Sequence, residues 1–372
     1  MPDLPDAVPE RPGLSPAANR RGLRLALGAS AAFSLALLIG WPLATFSAVF
    51  VTLFLQAPVA IPARAFRSLF QLAVVLLVAS WLIASVLSPY PVPFLLAVAM
   101  AVSISFRWGA TGAGKMSVVL ALIASLMVPN LVIVSQELTW LLVIWLPINL
   151  CIAWLWTVFM FWLIPPGAMP APAAEAPGGT RLDPGRLVLR MSLVTIPFAV
   201  LFFLSGSGML ITLFFVAILS MQLAAARGAG PTVAKGMLMA NVVGGIAAVI
   251  AYNVTVIAPL MVVAMLVMTL GAVTLARWLV SDRADSALAG SALSTMIIIF
   301  GGAISPFSGD ADVKMIDRLW QIGLALAFVL LAYVIVDRFF PLHRSAPPSG
   351  EGFLRRRRKA RRAARRAQRA QT

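Results

Sequence analysis

Long apolar runs separated by short polar or basic breaks fill the chain from Leu23 to Phe340. A membrane-spanning helix needs about 20 apolar residues, and fewer where the bilayer thins or neighbours cover its ends. By that measure the runs predict helices near 23–40, 43–60, 68–87, 92–106, 116–134 and 139–164. A second group is predicted near 188–205, 208–225, 236–254, 257–276, 286–304 and 316–340. The expected fold is an all-α integral membrane protein of about twelve transmembrane helices, six on each side of a polar break. The first two helices are short and joined by Gly40-Trp41-Pro42, where glycine supplies turn geometry and proline is expected to open the next helix. A tight hairpin is expected there.

The same landmarks pass twice. Arg24, Gln56, Arg64/Arg67, Pro91, Arg107-Trp108 and Pro165 return in that order as Arg190, Gln222, Arg227/Lys235, Pro259, Arg277-Trp278 and Pro341, some 163 to 176 positions later. The match is of landmarks and hydropathy rather than of identities. Such duplication is the mark of a transporter whose path lies between related halves.

The breaks are of two kinds. Basic residues occupy alternate connections: Arg20/Arg21/Arg24, Arg64/Arg67, Arg107/Lys115, Arg181/Arg186/Arg190, Arg227/Lys235, Arg277/Arg283 and the C-terminal tail. The others hold Ser88-Pro89-Tyr90-Pro91, Glu137, Gly206, Asn253 and Asp310/Asp312, with Lys314 and Arg318 as exceptions. Because lysine and arginine resist translocation, both termini are expected in the cytoplasm. Six spans per half then make the repeats parallel, related by an axis along the membrane normal. The expected organisation is a disordered tail 1–19, a first repeat 20–165, a Pro/Ala/Gly-rich linker 166–187, a second repeat 188–343 and a basic disordered tail 344–372.

Composition narrows the chemistry. With 61% apolar and 11% charged residues in 372, the chain cannot hide its hydrophobic groups in one water-soluble core. The single Cys151 excludes an intramolecular disulfide or a cysteine-cluster metal site, and the single His343 lies beyond the last apolar run. No metal and no cofactor are expected. The N-terminal apolar stretch reads as a retained signal anchor. The net charge of +16 is concentrated in the tail, where ten of the 29 basic residues lie between Arg355 and Arg369. Without interleaved aromatics this run reads as an anchor on anionic lipid in preference to a nucleic-acid binder.

Gly109-Ala-Thr-Gly-Ala-Gly114-Lys115-Met116 approaches the phosphate-loop pattern but carries methionine where serine or threonine should hold magnesium. It is expected to be a cytoplasmic turn. The paired Arg107-Trp108 and Arg277-Trp278 read as interfacial anchors, and equally as cations concentrating anionic solutes at a mouth. With Arg64, Arg67, Arg227 and Lys235 they form the candidate substrate path, lined deeper by Gln56 and Gln222. These glutamines serve interhelical hydrogen bonding or line a solute path, and Asn149, Asn241, Asn253, Gln71 and Gln321 invite the same reading. Gly244-Gly245 and Gly301-Gly302 are expected to permit close helix packing. Asp337 is the one candidate proton relay, in competition with a local pair to Arg338. A nucleophile with its base, or paired carboxylates, cannot be assembled, so an enzyme is not expected.

On Arg24-Leu-Ala-Leu-Gly, Arg190-Met-Ser-Leu-Val and the basic residues after each second helix, the chain over about 23–341 resembles the fusaric acid resistance and aromatic acid exporter family of bacterial inner-membrane proteins. Full-length members carry a large cytoplasmic domain after the first membrane block, where this chain has only residues 166–187, so it is similar to a short branch. The resemblance implies efflux of small hydrophobic or aromatic organic acids across the inner membrane, often with a periplasmic adaptor protein, and a homo-oligomer is an accompanying expectation. A non-transporting envelope scaffold or lipid-handling component is the alternative.

Overall fold

In the computed structural model the described residues are 15–167, 184–205, 216–217, 230–304 apart from 282, 284 and 287, and 324, 327–329, 331–336 and 338–339. Among them the secondary structure is helical throughout. Eight helices are long and apolar enough to cross a membrane, so the chain is a multi-pass helical membrane protein. Of the twelve expected spans, 208–225 and 316–340 fall mostly outside the described residues.

The first helix, α1 (Pro16–Leu38), starts inside the expected disordered tail. Ser15 accepts the amide of Ala18 and Pro16 occupies the first helical position, a start signal that outweighs the charged residues around it. The helix ends at Gly40, whose φ of +61° is the left-handed conformation, while Trp41 N–H returns to the Ala36 carbonyl. The expected hairpin is present, but Pro42 does not open the second helix. Leu43 follows it with φ +54°, and α2 (Ala44–Leu55) begins only after that residue.

Next come α3 (Ala63–Leu87) and α4 (Pro91–Ala110), then a span in three pieces: α5 (Lys115–Leu122), a π-helical turn (Ile123–Met127) and α6 (Val128–Val134). A proline at 129 and the wide turn before it interrupt the regular backbone ladder here. Ser135 then caps α7 (Gln136–Leu163) by accepting the Leu138 amide. The later helices are α8 (Pro184–Ser205), α9 (Gly230–Ile257), α10 (Met261–Leu279) and α11 (Leu288–Ile304).

Two buried cores run through the bundle. One, around Phe33, Leu55, Leu146, Leu150, Met268 and Phe300, joins α1, α2 and α7 to α10 and α11. The other, around Phe106, Leu122, Met191 and Tyr333, joins α4 and α5 to α8. Helices from early and late in the sequence are therefore interleaved. α1 lies along α10, with Gly22 against Ala276 and Val280, and α4 lies along α8, with Ser192 Oγ 3.4 Å from Ser103 Oγ.

A close backbone approach joins α9 and α11. A Cβ at Gly244 would collide with the Ala292 carbonyl, and the Thr295 hydroxyl donates to Asn241 Oδ1 beside it at 2.9 Å. Gly244 and Gly301, which packs against Phe33, behave as the close-packing glycines expected; a Cβ on Gly302 would meet open space. Gly244→Val is expected to force the helices apart at a cost of about 1–3 kcal/mol, measured as a lower unfolding temperature of the purified protein.

Candidate functional site

Contacts between helix ends bring the basic residues to one end of the bundle. Arg21 donates through Nη2 to the Gln56 carbonyl at 2.8 Å, joining the start of α1 to the end of α2. The Gln56 side chain continues to the Gly290 carbonyl of α11 at 3.4 Å. Gln56 is thus an interhelical bridge between segments 234 positions apart in the chain. At the matching ends of their helices stand Arg64 and Arg67 in the first two turns of α3, Arg107 in the last turn of α4, Lys235 near the start of α9 and Arg277 in the last turn of α10, all exposed. Gln222, Arg227 and Asp337 of the expected path and relay, and Gln321, lie outside the described residues.

Two arginines that the sequence presents only as landmarks are buried here. Arg24 is 1% exposed, and its guanidinium stands 3.8 Å from the centroid of the Phe161 ring. Its Nη1 donates to the Ile164 carbonyl at 3.3 Å, at the end of α7. Three favourable terms meet at this position: the face of the ring, a carbonyl acceptor and the negative end of a helix dipole. They oppose the cost of drawing a cation out of water. Among the described residues no acceptor reaches Arg24 Nε. Arg190 on α8 is 4% exposed and stands 5.5 Å from the centroid of Tyr333. The signal that could have found both is an arginine inside an apolar run, met at two positions 166 residues apart.

Acidic counterweights are sparse. Among the described residues the carboxylates are Glu137, exposed on the first turn of α7, and Asp285, which accepts the Trp278 indole N–H at 3.3 Å. The basic end therefore carries a positive field, which raises the local concentration of anions. Among the described residues no three His, Cys, Asp or Glu side chains gather as a metal site. The glycine-rich segment before Lys115 forms a turn between two helices, with Gly112 at φ +100°.

The remaining polar candidates are tied into the fold. Asn149 is fully buried, accepts the Trp41 indole N–H at 3.1 Å, and donates to the carbonyls of Pro42 at 3.2 Å and Trp145 at 2.7 Å. Asn241 faces Thr295, Asn253 donates to Val249 in its own helix, and Gln71 points outward from α3.

Residues 21–164 match a family described as "Protein of unknown function (DUF2955)". The matched stretch runs from Arg21 to Ile164, the carbonyl that receives Arg24, and so holds both partners of the first buried arginine. Comparison with curated proteins and with solved structures found no match.

Proposed function

We infer that the protein is a transporter built of two co-oriented halves of six spans each, moving small hydrophobic organic anions out of a bacterial cell across its inner membrane. Anions enter at the basic end, taken as cytoplasmic because that end holds the lysines and arginines. Arg64, Arg67, Arg107, Arg227, Lys235 and Arg277 concentrate the solute, and the path continues between the halves.

The observation that carries this reading is a recurrence in three dimensions. Residues 94–110 of α4 and 264–280 of α10 run through the same order of buried, half-buried and exposed positions without a mismatch. A buried arginine near an aromatic ring, Arg24 at Phe161 and Arg190 at Tyr333, supports the same reading. α1 along α10 and α4 along α8 are then the same contact: the first helix of one half against the fourth of the other. A path between two such halves would follow the surface along which they meet.

The double variant Arg107→Gln/Arg277→Gln is the direct test. Efflux of an aromatic acid from loaded cells is expected to fall about tenfold at low ionic strength, with membrane abundance unchanged. Unchanged efflux removes the two arginines from the path. A reporter at residues 166–187 found on the opposite side of the membrane from the C-terminal tail would overturn the co-oriented halves.

A further inference from the structure

A crevice of about 260 Å³ runs between α3 and α4. Along α3 it extends from Leu76 to Leu87, about 16 Å of helix rise. The π-helical turn forms its floor, where Ala124 and Ser125 present small side chains. Ser80 reaches across and donates to the Ala124 carbonyl at 2.5 Å, satisfying backbone that the irregular turn leaves available.

At the depth that corresponds to the floor of the crevice, α9 and α11 touch. Gly244 lies 168 positions after Leu76, the same offset that relates Pro91 to Pro259. There the glycine lets the two backbones touch, and Asn241 bonds to Thr295. In the first half Leu76 lines an open space instead.

The walls are suited to hydrocarbon. Ser80, Ser105 and Ser125 each give their hydroxyl hydrogen to a backbone carbonyl, so none of the three offers a donor to a ligand. One side of the crevice is open, bordered by Ile83, Met100 and Ile104, which are 52%, 63% and 58% exposed and face whatever surrounds the bundle. Trp108 closes the end nearest the basic residues. Arg107 is exposed there, one helical turn beyond Ile104 on the same face of α4.

We propose that this crevice is a lipid site that seats one acyl chain of an anionic phospholipid, with the headgroup phosphate at Arg107. The long, narrow shape fits a flexible chain better than a rigid ring system, and the sideways opening admits it from the bilayer. Tryptophan beside arginine marks the level of the headgroups. The proposal is for one lipid in this one crevice. The inference stands independently of the transport reading.

The test uses the full chain reconstituted in vesicles of equal parts phosphatidylglycerol and phosphatidylcholine, re-extracted in mild detergent and weighed by native mass spectrometry. One retained phosphatidylglycerol per chain is expected. Ala97→Phe and Ala101→Phe, two separate substitutions into the crevice wall, are each expected to reduce retention about tenfold or more. Arg107→Gln is expected to keep a lipid but to weaken the preference for phosphatidylglycerol about fivefold. Annular lipid of no fixed number, retention unaffected by both phenylalanines, or a second copy of the chain released by them would each overturn the proposal.

Discussion

Asn149→Ala is expected to lower stability by about 2–5 kcal/mol. The side chain is fully buried and serves three partners: the Trp41 indole, the Pro42 carbonyl and the Trp145 carbonyl. Alanine leaves the first two without their partner, and each such group costs about 1–3 kcal/mol. Asn149→Asp should be worse. It keeps an acceptor for Trp41 but turns a donor into an oxygen facing two carbonyls, and adds a buried charge. Unfolding temperatures in detergent, with the yield of folded protein, measure the order. A loss below about 1 kcal/mol for alanine would mean that water already satisfies the turn.

The second large effect concerns Arg24 and Phe161. Arg24→Met removes the cost of burying a cation together with what that cation gains, so its single value reports a difference of opposing terms. A double-mutant cycle with Phe161→Leu isolates the contact. A coupling of about 1–2 kcal/mol is expected for a desolvated guanidinium 3.8 Å from a ring centroid. Arg190 stands farther from Tyr333, at 5.5 Å, and its cycle should give the smaller value. Coupling indistinguishable from zero at Arg24 would reduce Phe161 to a packing neighbour.

Most of the helix framework could be read from hydropathy because its signals are local. Pro91 opens α4, and Arg107-Trp108 and Arg277-Trp278 close α4 and α10 within a few residues of the expected ends. The beginning of α1 is hidden in the sequence because three arginines follow Ser15-Pro16, so the cap lies ahead of the apolar run that hydropathy detects. Pro42 misled for a related reason: proline favours a helix start, but Leu43 takes a left-handed backbone that delays it. At the site, the exposed cations were legible as breaks between apolar runs. The bridge from Gln56 to Gly290 was not, because its partner is a backbone carbonyl distant in sequence. Arg24 and Arg190 were visible as landmarks, yet their burial depends on aromatic rings contributed by later helices. The crevice was equally hidden, since it depends on a π turn and on a leucine standing opposite small side chains.

The turn that Asn149 holds also bears on the bilayer around it. The 23 residues of α1 rise about 34 Å, enough for a hydrocarbon layer of about 30 Å, whereas the twelve residues of α2 rise only about 18 Å. Residues 39–43 therefore carry the chain over part of the return depth without a helical ladder. Backbone polar groups at that depth need partners from inside the protein, and the Asn149 amide, which donates to the Pro42 carbonyl, is one such substitute for solvent.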